Sequence, residues 1–386
     1  MIDVESSPTS VRAQFPSFER EVYLNAGGAG PLPLVVAEAI EKALRRDLAR
    51  GRMSVSAAEA EEALAERLRR RLEGVIGARP GSVAIASNTT AAQNIAIWGL
   101  DWRAGDEVLT TDVEHPGLGA PLEVLRRRRG VVVHVVPGAE AAAGLAEAVE
   151  ARLSDRTRMV AVSHVSYATG ALLDVRGAAL AARGAGALTL VDGAQAVGAL
   201  PVDVGDLDVD AYAFPAHKWL CGPEGLGALW LGPRALDAVA LTFASYESGS
   251  DHRPDGSFAP HRGARRYETS TPAFALVPGW LAALDWLESL GWSDVHARTA
   301  ALHRAARRLL REVSGVTILT PPAPQAGLIT FTPGTLDAEQ AARDLEEGGV
   351  MVRAVPAPRA LRASVGFYND MDDLRRLARA VERLVG

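Results

Sequence analysis

The chain has 386 residues, of which 48% are hydrophobic and 23% are charged, and its formal net charge is −6. These values are ordinary for a globular protein, and the acidic balance excludes a general nucleic-acid binder, which needs a basic face. No window approaches the roughly 20 apolar residues of a membrane-spanning helix, so we expect no membrane association.

In chain order, an arm over residues 1–19 is followed by two predicted helices, Val35–Ala49 and Ala57–Leu72. Short apolar runs then alternate with helical segments. This alternation predicts βαβ crossovers and a mainly parallel sheet of seven strands, covered on both faces. The predicted strands are Val83–Ala86, Val108–Thr110, Val131–Val136, Met159–Ser163, Leu188–Asp192, Ala211–Phe214 and Gly227–Leu231.

These strands define a large α/β domain over residues 20–255. A loop rich in Gly, Pro, His and Arg follows this domain. The helices and strands predicted after the loop form a smaller α+β domain over residues 273–386. We assign the N-terminal arm to this smaller domain. Its predicted elements are helices at 274–290 and 293–313, a strand at 327–331, a helix at 337–347, short strands at 350–352 and 362–367, and a helix at 371–385.

Lysine is nearly absent from the chain, since only Lys42 and Lys218 accompany the many arginines. An arginine guanidinium cannot be deprotonated at working pH, so these two lysines are the candidates for amine chemistry. Lys42 lies on a charged helix and is interpreted as a surface residue. Lys218 lies among apolar residues, Gly and Pro after the sixth predicted strand, where burial would lower its pKa and yield a nucleophilic amine.

Ligands of open α/β sheets bind beyond the carboxyl ends of the strands, so the residues after each strand are candidates. Thr89 and Thr90 begin a helix after the first strand, where helix N-termini bind phosphate, although plain capping also explains them. His115 follows the second strand. Asp192 ends the fifth strand, where a carboxylate is costly to bury without a positive partner.

Cys221 is the only cysteine, so the chain forms no internal disulfide and we expect no cysteine-based metal site. Residues 1–20 are polar and lack the apolar core of a signal peptide. We therefore expect a cytoplasmic protein without a metal.

The ordered motifs resemble one family. From Tyr23 to Gly386 the chain resembles the class V aminotransferase family of pyridoxal-phosphate enzymes, of fold type I, which includes cysteine desulfurases, carbon–sulfur lyases and isopenicillin N epimerase. The motifs are Thr-Thr, Glu-His, His-Val…Thr-Gly, Asp-Gly-Ala-Gln, His-Lys, Ser-Thr-Pro and a late Arg-Ala-Ser…Tyr-Asn, with 26 residues from Asp192 to Lys218.

The resemblance implies a role for each matching residue. Lys218 resembles the lysine that holds pyridoxal phosphate as a Schiff base and then acts as general acid and base. Asp192 resembles the carboxylate that keeps the pyridinium nitrogen protonated. Gln195 resembles the residue that hydrogen-bonds the ring oxygen, and His115 resembles the aromatic residue stacked on the ring.

Further positions resemble binding residues. Thr89, Thr90 and His217 resemble phosphate-binding positions. Thr271 resembles a threonine that reaches the phosphate of the neighbouring subunit, which implies a homodimer. Arg362 resembles the arginine that binds the α-carboxylate of a small amino-acid substrate.

The chain also departs from the desulfurase pattern. Pro215 replaces a serine that would donate to the phosphate, and Tyr167 replaces an asparagine that would contact the ring oxygen. Residues 352–361 contain no catalytic cysteine, so a persulfide mechanism lacks its thiol.

We therefore expect an enzyme that removes the α-proton of an amino acid, with carbon–sulfur lyase-type β-elimination as the favoured outcome. Epimerisation and transamination by the same family chemistry are the alternatives. A non-catalytic module that binds the cofactor is an alternative of another class. A nicotinamide dehydrogenase is disfavoured because no G-x-G-x-x-G follows the first strand.

Overall fold

Helices and strands alternate along most of the chain in a computed structural model that describes residues 9–52, 54–269, 273–322 and 326–386. The strands are β1 (Val22–Tyr23), β2 (Val83–Ala86), β3 (Glu107–Thr111), β4 (Val132–Val136), β5 (Thr157–Ser163), β6 (Leu188–Asp192), β7 (Ala211–Pro215), β8 (Gly227–Leu231), β9 (Gly249–Ser250), β10 (Ala259–Pro260), β11 (Val316–Ile318), β12 (Leu328–Pro333), β13 (Val350–Met351), β14 (Arg353–Pro356) and β15 (Arg359–Ser364).

The α-helices in the same ranges supply many of the other core residues, and none of them has the length and apolar character needed to cross a membrane. They are α1 (Thr9–Arg12), α2 (Leu34–Arg50), α3 (Val55–Val75), α4 (Thr89–Trp98), α5 (Pro116–Arg129), α6 (Gly138–Glu150), α7 (Val175–Gly184), α8 (Val204–Leu207), α9 (Pro233–Ala238), α10 (Val277–Leu290), α11 (Trp292–Glu312), α12 (Ala338–Glu347) and α13 (Met371–Val385).

The central sheet has seven strands in the order β2-β8-β7-β6-β5-β3-β4. Strand β8 runs antiparallel to its neighbours β2 and β7, and the other pairings are parallel. The predicted α/β class with a seven-stranded, mainly parallel sheet is thereby confirmed. Because parallel strands share one direction, β3, β5, β6 and β7 all end at the same edge.

Both faces of this sheet are buried, as its strand sequences predict. Along β5, Val160 and Val162 pack into a cluster with residues of α3, α6, α7 and α10. Met159 and Ala161 point the other way and pack with residues of α4 and α5. Successive side chains of a strand face opposite sides, so a strand buried on both sides must be apolar throughout.

The C-terminal unit is an antiparallel sheet in the order β11-β12-β15-β14, with α11, α12 and α13 packed in its core. Strand β1 pairs in parallel with β13, and Val22 enters this core. Arg12 Nη1 also lies 3.0 Å from a carboxylate oxygen of Asp373. Helix α10 packs instead with the core of the large sheet. The domain limits of 20–255 and 273–386 stay a prediction.

The C-terminal strands correct two expectations from the sequence. The strand predicted at 362–367 is β15, which begins at Arg359 and ends at Ser364, and its partner β14 was not predicted. Strand β14 lies at the edge of its sheet. In the sequence Pro356 disfavours a strand at this position. Proline is tolerated at a sheet edge, however, and pairing with β15 stabilises the strand there.

Candidate active site

A cavity of about 200 Å³ lies at the edge of the large sheet where the parallel strands end. The topology of the sheet brings there nine of the ten residues predicted for the site. Thr271 is the tenth, and it lies outside the described residues. The lining residues are Gly27, Gly28, Asn88, Thr89, Thr90, His115, Ser163, Val165, Tyr167, Asp192, Ala194, Gln195, His217, Lys218, Arg353 and Arg362.

Lys218 lies in the turn between β7 and β8 and faces this cavity, to which it is partly exposed. Burial lowers the pKa of its ammonium group to about 8, while the negative charge of Asp192 opposes this shift. Within the described residues no hydrogen bond is made by Nζ. Roughly a tenth of the amine is then neutral at pH 7, far more than for a lysine in water.

Asp192 is buried at the carboxyl end of β6. Its Oδ1 accepts a hydrogen bond from the amide of Ala194 at 2.9 Å, which fixes the carboxylate. No ion-pair partner for it exists in the part of the chain that the structure describes. A buried carboxylate of this kind is matched to a cationic group in the cavity.

Gln195 is held in one orientation by two hydrogen bonds. Its Oε1 accepts from Trp219 Nε1 at 2.9 Å, and its Nε2 donates to the carbonyl oxygen of Gly27 at 2.8 Å. The bond to an indole N–H, which only donates, identifies Oε1 as the acceptor. The second N–H of Nε2 remains for a ligand atom.

One end of the cavity is built to receive an anion. The Asn88 side chain caps α4 by accepting from the amide of Ala91 at 2.8 Å, so Thr89 and Thr90 form the first turn. First-turn amides have no acceptor within the helix and carry positive potential. Nearby, Nδ1 of His217 is buried without a hydrogen-bond partner among the described residues.

His115 and Tyr167 form an aromatic wall. Their ring centroids lie 5.0 Å apart with an interplanar angle of 80°. His115 also caps α5, since its Nδ1 accepts from the amide of Gly117 at 3.0 Å. Burial, followed by the charge of Lys218, lowers the pKa of His115. The imidazole is therefore neutral at physiological pH.

Arg362 brings a buried positive charge to the cavity from β15. Its Nη1 donates to the carbonyl oxygen of Tyr167 at 2.9 Å, and its Nε has no hydrogen-bond partner in the described chain. Burial, followed by the charge of Arg353, lowers its pKa to about 10. No carboxylate of the described residues pairs with it. A guanidinium without a counter-ion is a site for a ligand carboxylate.

Sequence reasoning missed the contribution of the N-terminal segment. Gly27 and Gly28 line the cavity, although the pattern before α2 was not assigned a function. A Cβ at Gly27 would lie 2.8 Å from Ser364 Oγ and 3.0 Å from Arg362 Nη2. The run Asn-Ala-Gly-Gly-Ala-Gly was the signal, because repeated glycine often marks close approach of a backbone.

Two further cavity residues, Ser163 and Arg353, were also missed. Ser163 is held by Glu114, whose carboxylate accepts from the Ser163 amide at 3.1 Å, from the Ser163 hydroxyl and from Thr111 Oγ1 at 2.7 Å. Desolvation raises the pKa of Glu114 to about 7. The Glu-His motif therefore contributes a desolvated carboxyl group as well as one ring of the aromatic wall.

The cavity unites an amine of lowered pKa, a buried carboxylate, an anion-binding helix end and an aromatic wall, which together define a pyridoxal-phosphate enzyme of fold type I. The chain belongs to the class V aminotransferase family, whose family model, Aminotransferase class-V, matches residues 22–377. The predicted family, enzyme class and cofactor are thereby confirmed.

Relatives and solved structures match over nearly the whole chain. A probable cysteine desulfurase of Pseudomonas aeruginosa is 33% identical over 98% of both chains, and the isopenicillin N epimerase of Streptomyces clavuligerus is 34% identical over 95% of both. The cystine C–S lyase C-DES, solved with its product cysteine persulfide, superimposes with a TM-score of 0.90 at 31% identity, covering 96% of this chain and 99% of that one.

The residues present fit pyridoxal phosphate. The unpartnered Nδ1 of His217 and the start of α4 suit the phosphate, and buried Asp192 suits a protonated ring nitrogen. Pro215 is buried at the end of β7 and does not line the cavity. It therefore cannot supply the hydrogen bond that a serine at this position would donate to the phosphate.

Proposed function

We propose that this enzyme catalyses carbon–sulfur lyase-type β-elimination on an amino acid. The observation that carries this proposal is the state of the only thiol. Cys221 is buried, its Sγ lies 4.0 Å from the carbonyl oxygen of Trp219, and burial raises its pKa to about 12. A protonated, enclosed thiol is a poor nucleophile, so transfer of sulfur to a cysteine is disfavoured.

Each proposed role follows from the contacts of the residue. Arg362 binds the α-carboxylate and orients the α-carbon. Pyridoxal phosphate supplies a carbonyl for amine condensation and an electron sink. Lys218, as the neutral amine, removes the proton from the α-carbon, and Asp192 holds a proton on the ring nitrogen.

The remaining residues would hold the cofactor in place and shield it from water. The first turn of α4, with Thr89 and Thr90, binds the phosphate together with His217. His115 would pack against the ring and exclude water, and Gln195 would offer its free N–H to the ring oxygen. Tyr167 stands where the family has an asparagine, and its hydroxyl would supply the contact to the ring oxygen that the asparagine makes.

The reaction balances without an external oxidant. A substrate R–S–CH2–CH(NH3+)–COO− plus water gives the thiol RSH, pyruvate and ammonium. The α-proton moves to Lys218 and the Cβ–S bond breaks with its electron pair on sulfur. Sulfur stays on the leaving group, so no enzyme thiol is required.

Epimerisation is the second candidate, and it is favoured by the hydroxyl of Tyr167 in the cavity. Tyr167 lines the cavity and burial raises its pKa, so the hydroxyl keeps its proton at neutral pH and is the group proposed to return a proton to the α-carbon. The Streptomyces clavuligerus relative is an isopenicillin N epimerase, in agreement with this chemistry.

For its assembly and location we propose a homodimer, completed by Thr271 across the interface, in the cytoplasm. Exposed apolar side chains line an open groove beside α2, and a second copy of the chain would cover them. They include Leu44, Leu48 and Tyr246, of which Leu48 is 89% and Tyr246 is 72% exposed.

A substrate panel in heavy water tests the reaction. We expect S-substituted L-cysteines to release pyruvate, ammonium and thiol in equal amounts, and the Lys218→Ala variant to release none. Deuterium at the α-carbon with inversion, and no pyruvate, would replace the lyase proposal by the epimerase one. Neither exchange nor product across the panel would contradict both.

A further inference from the structure

Two arginines of the C-terminal unit stand side by side at the cavity. Arg353 of β14 and Arg362 of β15 are direct partners in an antiparallel pair. Residues opposed in this way project their side chains from the same face of the sheet. Both line the active-site cavity, so the sheet presents two guanidinium groups to the same space.

Like charges directly opposite each other on neighbouring strands are destabilising. The charge of Arg353 adds to burial in lowering the pKa of Arg362. No carboxylate of the described residues forms an ion pair with either arginine. The pair therefore carries an uncompensated positive charge that a ligand with negative groups would relieve.

The cofactor phosphate does not account for this charge. The positive charge of Arg353 acts on His115, Tyr167 and Lys218, which lie towards Arg362. At the phosphate end, the pKa of His217 is lowered by burial and by Lys218, with no contribution from Arg353. Arg353 thus belongs to the substrate end of the cavity.

Arg362 is already committed to one carboxylate in the proposed function. It is buried and held by its bond to the carbonyl oxygen of Tyr167, whereas Arg353 is exposed. An exposed guanidinium beside a fixed one suits a ligand whose second negative group lies further out than the first.

We propose that Arg353 is a specificity residue that binds a second carboxylate on the substrate. The inference rests on the proposed function for the role of Arg362. It names the substrate class as amino acids whose side chain or sulfur-linked leaving group ends in a carboxylate.

Calorimetric binding of unreactive probes to the cofactor-loaded protein tests this without turnover. The probes are glutarate and succinate, each compared with its half-amide, which has the same shape and one charge fewer. We expect each diacid to bind about tenfold or more tightly than its half-amide, as charge-assisted hydrogen bonds allow. The preference should fall to about twofold or less in Arg353→Gln and partly return in Arg353→Lys.

Arg359→Gln is the matched control, because Arg359 is exposed on the same hairpin and is not among the cavity residues. It should keep the preference of the wild type. A wild-type protein that binds diacid and half-amide equally, or an Arg353→Gln variant that keeps the preference, would overturn the proposal.

A kinetic pair separates this inference from the lyase proposal. S-carboxymethyl-L-cysteine should be turned over with a higher kcat/KM than S-carbamoylmethyl-L-cysteine by the wild type, and with an equal one by Arg353→Gln. A diacid preference in binding without any elimination would overturn the lyase reaction and uphold the Arg353 site. Elimination with no charge preference would uphold the lyase reaction and overturn the Arg353 site.

Discussion

The amide of Gly30 donates a 2.6 Å hydrogen bond to the carbonyl oxygen of His217, the residue before Lys218. A Cβ at Gly30 would lie 2.0 Å from the carbonyl oxygen of Lys218 itself. The N-terminal segment therefore packs on the backbone that carries the amine, in a contact that only glycine permits.

Substitution of Gly30 tests this contact. In Gly30→Ala the methyl group must displace the Lys218 backbone, and we expect kcat/KM to fall about tenfold or more, since small misplacements of reacting groups are costly. The cofactor content, measured by absorbance, should fall with it. Gly74→Ala on α3 meets nothing within 4 Å and should retain both values. Equal activity of the two variants would contradict the contact.

The pKa of Lys218 predicts how the apoenzyme captures its cofactor. The neutral amine is the nucleophile, and burial lowers the pKa from 10.5 to about 8. The capture rate, followed by absorbance from pH 6 to 10, should therefore rise with pH and level off above a midpoint near 8. A midpoint near the ordinary value would contradict burial of the amine.

Asp192 provides a control for that profile. Its charge raises the pKa of Lys218. In Asp192→Asn the amide oxygen can still accept from Ala194, but the charge is gone, so the midpoint should move to lower pH. An unchanged or higher midpoint would show that the two groups do not interact.

Arg362→Gln separates substrate binding from folding. Loss of one partner from a buried charged pair costs about 2–5 kcal/mol, so kcat/KM should fall by roughly 100-fold. The melting temperature of the ligand-free protein should not fall, because an unpaired buried charge is removed. Arg359→Gln is the control for both. A lower melting temperature with full activity would make Arg362 a structural residue.

The raised pKa of Glu114 predicts that the stability of the folded protein depends on pH. Desolvation raises its pKa from 4.5 to about 7, so folding favours the protonated carboxyl. Its stabilising contribution is complete below the unfolded value and is lost as pH rises through the folded value. The melting temperature of the wild type, compared with that of Glu114→Gln, should fall between pH 5 and pH 8.

The exposed Glu123 is a matched control for Glu114. Its hydrogen bonds to Arg126 and Arg127 lower its pKa to about 2, so it is charged throughout that range. Glu123→Gln should show the same change in melting temperature between pH 5 and pH 8 as the wild type. A Glu114→Gln variant that also follows the wild type would contradict a raised pKa for Glu114.

The sequence was sufficient for those parts of the site that follow from local pattern. Asp192 is the last residue of one apolar strand and Lys218 follows another by three residues, and parallel strands bring such positions to one edge. Gly27 and Arg353 were missed because they reach the cavity through contacts with residues distant in the chain. Strand β14, which carries Arg353, is stabilised by its pairing with β15 rather than by its own composition.

Product analysis by mass spectrometry tests the central claim most directly. Wild-type protein and Cys221→Ala are each incubated with an S-substituted L-cysteine. Elimination without an enzyme thiol predicts equimolar pyruvate and thiol from both proteins, at equal rates. Alanine as the product, lost together with the activity in Cys221→Ala, would contradict the account.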